Sequence, residues 1–203
     1  LVLAGLLVLS LCACSAGSGD KEVYTVGICQ LVQHAALDAA TQGFKDALEK
    51  TLPGQVEFDE QNASNDIPMC TSIVNNFIAK DVDLILCNAT PALQAAAAAT
   101  TEIPLLGTSV TEYGVALGLT DYNGTVGGNI SGTSDLAPLD QQAAMLNELF
   151  PDAKNVGLLY CSAEPNSQYQ VDTVKTALEE LGYTCEYYAF SDSNDISSVV
   201  TNA

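Results

Sequence analysis

Five short polar stretches hold the residues with which this chain could do chemistry: Gln30, Asn88-Ala89-Thr90, Thr108-Ser109-Val110-Thr111, Ser134-Asp135 and Ser162-Ala163-Glu164-Pro165-Asn166-Ser167. Hydroxyls and amides dominate them. At helix starts, free backbone N–H groups and the helix dipole favour a small anion such as a carboxylate. Asp135 and Glu164 add carboxylates that could hold an ammonium. Gln30, Asn88, Thr90, Ser109, Thr111, Ser134, Asp135, Glu164, Asn166 and Ser167 together suit a zwitterion, an amino acid, lying between two lobes. Other roles are open to some of them: Thr90 and Ser167 are good helix caps without any ligand, and Asp135 precedes a helix it could cap. Tyr113, Tyr122, Tyr160 and Tyr169 lie in or beside these stretches and could form an aromatic wall, although ordinary packing explains each one as well.

Other chemistries find little support. His34 is the only histidine, so a Ser/His/Asp or Cys/His arrangement must use it, and a single His at a helix start reads more simply as a polar surface or capping residue. No G-x-S-x-G elbow, P-loop or G-x-G-x-x-G fingerprint occurs. Cys29, Cys70, Cys87, Cys161 and Cys185 are widely spaced, mostly inside apolar runs, and read as buried small hydrophobes rather than bridges. No CxxC or zinc-ligand spacing is present, so no metal or cofactor is expected. The formal net charge of −19, from 25 acidic and 6 basic side chains, excludes binding to a phosphate backbone. The acids are scattered, as on a soluble, self-repelling surface.

The elements that must position these residues alternate between short apolar runs and longer segments of helical period, the pattern of βα units and a parallel sheet. Strands are expected at Val23 to Cys29, Gln55 to Asp59, Asp83 to Cys87, Pro104 to Gly107, Asn155 to Tyr160 and Thr184 to Ala189. Between the first two, Leu37, Ala40, Phe44, Ala47 and Leu48 form one helical stripe, closed by Leu52-Pro53-Gly54. The next helix carries Ile67, Cys70, Ile73, Val74, Phe77 and Ile78, with Asn65-Asp66 and Pro68 as its start signal. A third begins at Thr90-Pro91 and runs through Ala95 to Ala99. Residues 115 to 135, dense in glycine, read as a loop or hinge rather than a helix. A helix with Leu139, Ala143, Leu146 and Leu149 follows, then a second series whose helix, with Val171, Val174, Leu178 and Leu181, ends at Gly182. In open α/β sheets ligands bind outside the carboxyl ends of the strands, where Gln30 and the stretches that begin at Asn88, Thr108 and Ser162 fall, with Ser134-Asp135 in the glycine-rich crossover.

The N-terminal run LVLAGLLVLSLCAC is apolar, uncharged and too short to span a bilayer, as in the h-region of a secretory signal. Leu11-Cys12-Ala13-Cys14 looks like a bacterial lipobox, which makes Cys14 the expected lipidation site. The expected organisation is a signal over residues 1–14, a flexible tether over 15–22, an N-terminal α/β lobe over 23–132 and the start of a C-terminal α/β lobe over 133–203. No initiator Met precedes the run, and the chain stops just after a new helical pattern, so both ends read as cut.

A resemblance then becomes specific. Residues 26–39, Gln61-Asn62-Ala63, residues 83–92, the Val110-Thr111 turn, residues 128–135 and Glu164-Pro165-Asn166-Ser167 look like the substrate-binding lipoprotein family of ABC transporters that includes tryptophan- and other aromatic-amino-acid-binding members. The match is collinear from about residue 23 to 203. It implies an α/β, type I periplasmic-binding-protein fold with two lobes, the second truncated here. It also implies an extracytoplasmic, lipid-anchored protein of the bacterial cell membrane that is not an enzyme and delivers an amino acid, aromatic by this likeness, to an ABC permease with its ATPase. The chain departs from the family at Ala35, where Pro is usual, at Cys87 and Asn88, and at Glu112-Tyr113, where Asp-Pro is usual. Two other classes share some of these features: a ligand-sensing domain of a signalling receptor, and an exported hydrolase that would depend on His34.

Overall fold

The structure, a computed structural model, describes residues 23–203. The expected signal, Cys14 and the tether lie outside the described residues. Five parallel strands form one sheet: β1 (Tyr24–Gln30), β2 (Val56–Asn62), β3 (Leu84–Asn88), β4 (Leu105–Val110) and β5 (Ile130–Ser134), in the order β2-β1-β3-β4-β5. Helices α1 (Ala35–Thr51), α2 (Ile67–Ala79) and α3 (Thr90–Ala99) connect the first four, and the short α4 (Tyr113–Leu117) follows β4. The central strands β1 and β3 are almost uniformly buried, as a parallel sheet covered on both faces requires.

Alternation along the strands sorts the two faces. Val26, Ile28 and Leu86 cluster with Phe44 and Leu48 of α1. Cys29, Ile85 and Cys87 cluster with Cys70, Val74 and Phe77 of α2 and Leu93 and Ala96 of α3. Gly27 lies where a Cβ would come within 2.7 Å of the Phe77 ring, so glycine lets α2 seat closely on β1. The helix starts are chemically marked: His34 Nδ1 accepts from the Ala36 N–H at 3.2 Å, and the Asp66 carboxylate accepts from Met69 N–H at 3.4 Å.

A second, two-stranded parallel sheet pairs β6 (Asn155–Cys161) with β7 (Thr184–Phe190), accompanied by α5 (Leu139–Leu149), α6 (Pro165–Glu180) and α7 (Ile196–Asn202). Its buried cluster is small: Ala143, Leu158, Leu178, Tyr183 and Cys185. Tyr183 donates toward Asn147 Oδ1 and the Phe150 carbonyl at 3.0 and 3.1 Å, tying the end of α5 to the start of β7.

Residues 115 to 135 are not wholly loop. They take in most of α4 and the whole of a pairing strand that runs from Ile130 to Ser134, so the expected lobe boundary at 132/133 falls inside β5. Five residues are too few for a helical stripe to register, and Ile-Ser-Gly-Thr-Ser offers one apolar side chain where alternation would need two or three. What holds β5 is Tyr113. Its hydroxyl lies within reach of two carbonyls, Gly107 O at 3.0 Å and Thr133 O at 3.3 Å. A Cβ at either Gly107 or Gly132 would collide with that oxygen. The β4–β5 register shifts between Gly107 and Val110, beside this wedge. Burial pushes the Tyr113 phenol up to about 12, so it stays a donor.

Candidate functional site

The chain leaves β1 through α1 toward β2 on one side and returns through α2 to β3 on the other. The sheet therefore changes direction between β1 and β3, and ligands of open α/β sheets gather at such a point. The last residues of the two strands, Gln30 and Asn88, are register partners there. Both are buried, at 4% and 0% exposure. Gln30 Oε1 accepts from Thr41 Oγ1 at 2.7 Å and from Asn88 Nδ2 at 3.4 Å, while Gln30 Nε2 donates to Asp38 Oδ1 at 2.7 Å and Val32 O at 2.9 Å. Asn88 Nδ2 also reaches the Leu37 carbonyl at 2.8 Å and Thr41 Oγ1 at 2.9 Å. This knot fixes the first turns of α1 against the strand ends. Asp38 and Thr41 are the members that sequence reasoning missed, although they flank the inward stripe of α1 that Leu37 opens.

Two oxygens at this corner are left over. Asn88 Oδ1 and Thr90 Oγ1 are buried without a hydrogen-bond partner, and a buried polar group without a partner costs about 1–3 kcal/mol. Thr90 opens α3 but does not cap it: the cap position falls on Ala89, at φ 97°, with no side-chain cap bond. An alanine held at positive φ marks a constrained backbone. Ser109, at φ 54°, is another non-glycine residue at positive φ, at the β4 bulge.

The crossover to the second lobe runs past the same end of the sheet. Ser134 Oγ donates to the Thr111 carbonyl at 2.6 Å and accepts from Leu136 N–H at 3.2 Å, and Asp135 N–H donates to Val110 O at 3.1 Å. Asp135 is exposed and does not cap α5, which begins at Leu139 behind Pro138. In the second lobe Glu164 takes the cap position of α6 with no capping bond of its own, and Ser167 lies within the first turn. Asn166 Nδ2 donates to Glu164 Oε2 at 3.5 Å, and Asn166 Oδ1 is the third buried oxygen without a partner. Contact between α4, after β4, and α6, after β6, brings the carboxyl ends of the two sheets together.

The aromatic residues divide. Tyr113 and Tyr122 border one cavity of about 390 Å³ with the Gly124–Gly132 stretch. Tyr160 instead packs edge-on against Tyr187, ring centroids 5.7 Å apart, in the second sheet. A groove of about 680 Å³ beside β1 and β2 is lined by Gln30, Asp38, Thr41, Lys45, Glu60 and Asn62 among others. Among the described residues no cluster of three or more His, Cys, Asp or Glu could hold a metal ion, and no helix is long and apolar enough to cross a membrane.

Comparison with known proteins gives this arrangement its context. Residues 25–203 match the family model of the ABC transporter substrate binding protein. A tyrosine-binding protein of Clostridioides difficile (strain R20291) is 35% identical over 217 residues, covering 100% of this chain and 63% of the relative. An ABC domain from Streptococcus pneumonia, solved in complex with L-Trp, superposes with a TM-score of 0.83 at 34% identity, covering 89% of this chain and 61% of that one. The ligand-free, open structure of a substrate-binding protein with adhesive properties from Clostridium difficile gives 0.63 at 38% identity, covering 89% and 62%. This chain thus spans less than two thirds of the length of these relatives. The relatives are binding proteins rather than enzymes, and the fold is that of type I periplasmic binding proteins. From the strand-end site to the match along residues 25–203, the chain belongs to the ABC transporter substrate-binding protein family.

Proposed function

We propose that this chain is the ligand-gripping part of an extracytoplasmic solute receptor that binds an amino acid, an aromatic one, between its lobes and passes it to an ABC permease with its ATPase. The observation that carries this reading is the pair of buried, partnerless oxygens, Asn88 Oδ1 and Thr90 Oγ1, beside the uncapped start of α3. Thr90 Oγ1, as a donor, suits a carboxylate oxygen at the helix start, and Asn88 Oδ1, an acceptor, suits an ammonium. Asn166 Oδ1 is a further acceptor, and Glu164 and Asp135 are carboxylates that favour the ammonium end. Ser109, Thr111, Ser134 and Ser167 line the approach in this reading. Gln30, whose amide is already engaged on both sides, positions Asn88 and α1.

Named ligands of relatives support the amino-acid class: tyrosine for the Clostridioides difficile protein and L-Trp for the Streptococcus pneumonia domain. A hinge mechanism is supported by the superpositions. The L-Trp complex fits better (0.83) than the ligand-free, open structure (0.63), although the latter is closer in sequence, 38% against 34%. Rotation of one lobe against the other produces that pattern, and a ligand held by both lobes stabilises the closed state that a permease would read. Lipid attachment at Cys14 would keep such a receptor on the membrane surface beside its transporter.

Thermal unfolding in the presence of free amino acids tests the proposal. At a hundredfold excess over Kd a specific ligand stabilises by about 2.7 kcal/mol, and L-Trp, L-Tyr or L-Phe is expected to raise the melting temperature where L-Lys and L-Asp do not. The chain has no Trp, so bound L-Trp can also be followed by its own emission. Thr90→Val, nearly isosteric, should abolish the shift while leaving the unliganded melting temperature within a few degrees. Absence of any shift across the amino acids, with the protein folded, overturns the assignment.

A further inference from the structure

We propose, building on the amino-acid reading of the site, that Asp38 is a positioning residue. It sets the direction of a buried amide relay so that Asn88 offers the ligand an acceptor and nothing else, which makes a protonated amine obligatory. Asp38 lies at the outer end of the relay, and Asn88, fully buried, lies at the inner end beside Thr90.

The relay has a direction because groups that can only accept hold it in place. Gln30 Nε2 faces a carboxylate oxygen, Asp38 Oδ1, at 2.7 Å and a backbone carbonyl, Val32 O, at 2.9 Å. Turned over, the Gln30 amide would set its oxygen against both acceptors with no hydrogen between them. Its Oε1 therefore points inward and accepts from Thr41 Oγ1 at 2.7 Å and from Asn88 Nδ2 at 3.4 Å. The Thr41 hydroxyl spends its one proton there and is left an acceptor for Asn88 Nδ2 at 2.9 Å, while Leu37 O accepts from the same nitrogen at 2.8 Å. Three acceptors thus hold the Asn88 nitrogen, and Oδ1 is the end left over, buried and without a partner. The neighbouring Thr90 hydroxyl can turn to donate or to accept, whereas Asn88 Oδ1 has no such freedom. An analogue that brings no donor to Asn88 leaves a buried acceptor unpaired.

Asp38 is the member of the relay that can be changed without opening the core. It is exposed and stands in the first turn of α1. An acid there stabilises the helix through its dipole whichever way it points. Only one bonded to Gln30 Nε2 also orients the amide, and without it Val32 O alone opposes the turned form. The two roles separate by what they move: the first changes stability, the second changes which ligands are accepted.

Calorimetry tests this with whichever of L-Trp, L-Tyr and L-Phe binds most tightly, set against its deaminated analogue: indole-3-propionate, 3-(4-hydroxyphenyl)propionate or 3-phenylpropionate. A site built to bond a ligand N–H rejects an analogue that lacks it, so the wild-type chain should bind the analogue at least about 100-fold more weakly. Asp38→Ala should shrink that ratio by about tenfold or more, the worth of a hydrogen bond to a charged group. Asp38→Asn keeps an acceptor oxygen for Gln30 Nε2 and should restore most of the lost ratio. A helix-stabilising role alone would lower the melting temperature, or weaken both ligands alike, and leave the ratio where it was. An unchanged ratio in Asp38→Ala, or equal binding of amino acid and analogue by the wild type, overturns the role of Asp38 and leaves amino-acid binding standing. If no amino acid binds the folded wild-type chain, the amino-acid reading falls and the role of Asp38 falls with it.

Discussion

The five-stranded and the two-stranded sheet are both parallel and both fed by βα units, yet they bury their side chains to different depths. In the first, β1 and β3 are covered by α1 on one face and by α2 and α3 on the other, and Ile28, Cys29, Ile85 and Cys87 are all fully buried. In the second, α5 and α6 supply one apolar layer over Leu158 and Cys185, while Leu159 stays 45% exposed and Phe150 61% exposed. A parallel strand needs cover on both sides because neither face is polar enough to meet water. The difference teaches that a βα repeat specifies a lobe only where the next helix is in place to close over it.

Core truncations give the widest separation between the regions. Phe77→Ala removes a fully buried ring from a face that Gly27 has shaped to it, and is expected to cost about 3–5 kcal/mol. Leu178→Ala, equally buried but among half-buried neighbours free to collapse, should sit at the low end of the range for such changes, about 2–3 kcal/mol. Urea unfolding followed by hydrogen exchange checks both, and equal losses would erase the proposed contrast. Gly132→Ala tests the edge of the first sheet, because its Cβ would collide with both the Tyr113 hydroxyl and the Gly107 backbone. A loss of about 1–3 kcal/mol is expected, with faster exchange confined to β4 and β5.

Smaller effects sharpen the same comparison at the surface. Lys80 and Gln61 hold the Asp59 carboxyl below its ordinary range through hydrogen bonds, so the folded pKa is the lower one. That contribution is fully present above about pH 4 and is lost as pH falls through the depressed value. Lys80 is half exposed, so Lys80→Ala should cost only about 0.2–1 kcal/mol at pH 7 and less still at pH 3, by paired urea titrations. Leu159→Gln, on the uncovered face of β6, should change stability by less than about 0.5 kcal/mol and reduce binding of a hydrophobic dye. A large loss there would show that the face is packed in solution.

Where apolar patterning was strong, the sequence reading and the structure agree to within a few residues. All six expected strands appear, each shifted or extended by one to three residues, and Asp66 and Gly182 end up where their start and stop signals placed them. β5 was illegible because its support comes from a tyrosine seventeen to twenty-one residues away rather than from its own side chains. The strand-end polar residues were legible as a group, since hydroxyls and amides at helix starts stand out against apolar strands. Their division of labour was not. That Gln30 spends both ends of its amide inside the protein, while Asn88 and Thr90 each keep an oxygen in reserve, depends on distances to Thr41, Asp38 and Leu37 that no local pattern encodes.

The Tyr113 wedge carries a consequence for how this sequence can drift. Because the phenol alone occupies the space that a side chain at Gly107 would need, positions 107 and 113 form one hereditary unit, whereas Gly132 is held by the Gly107 backbone as well. A homologue that replaces the tyrosine with a short residue is released to carry alanine or serine at 107, whereas one that keeps it is bound to keep that glycine, and both are bound to keep Gly132. Joint substitution at 107 and 113, one on a strand and one on a helix, would be the trace of that bond in natural descent.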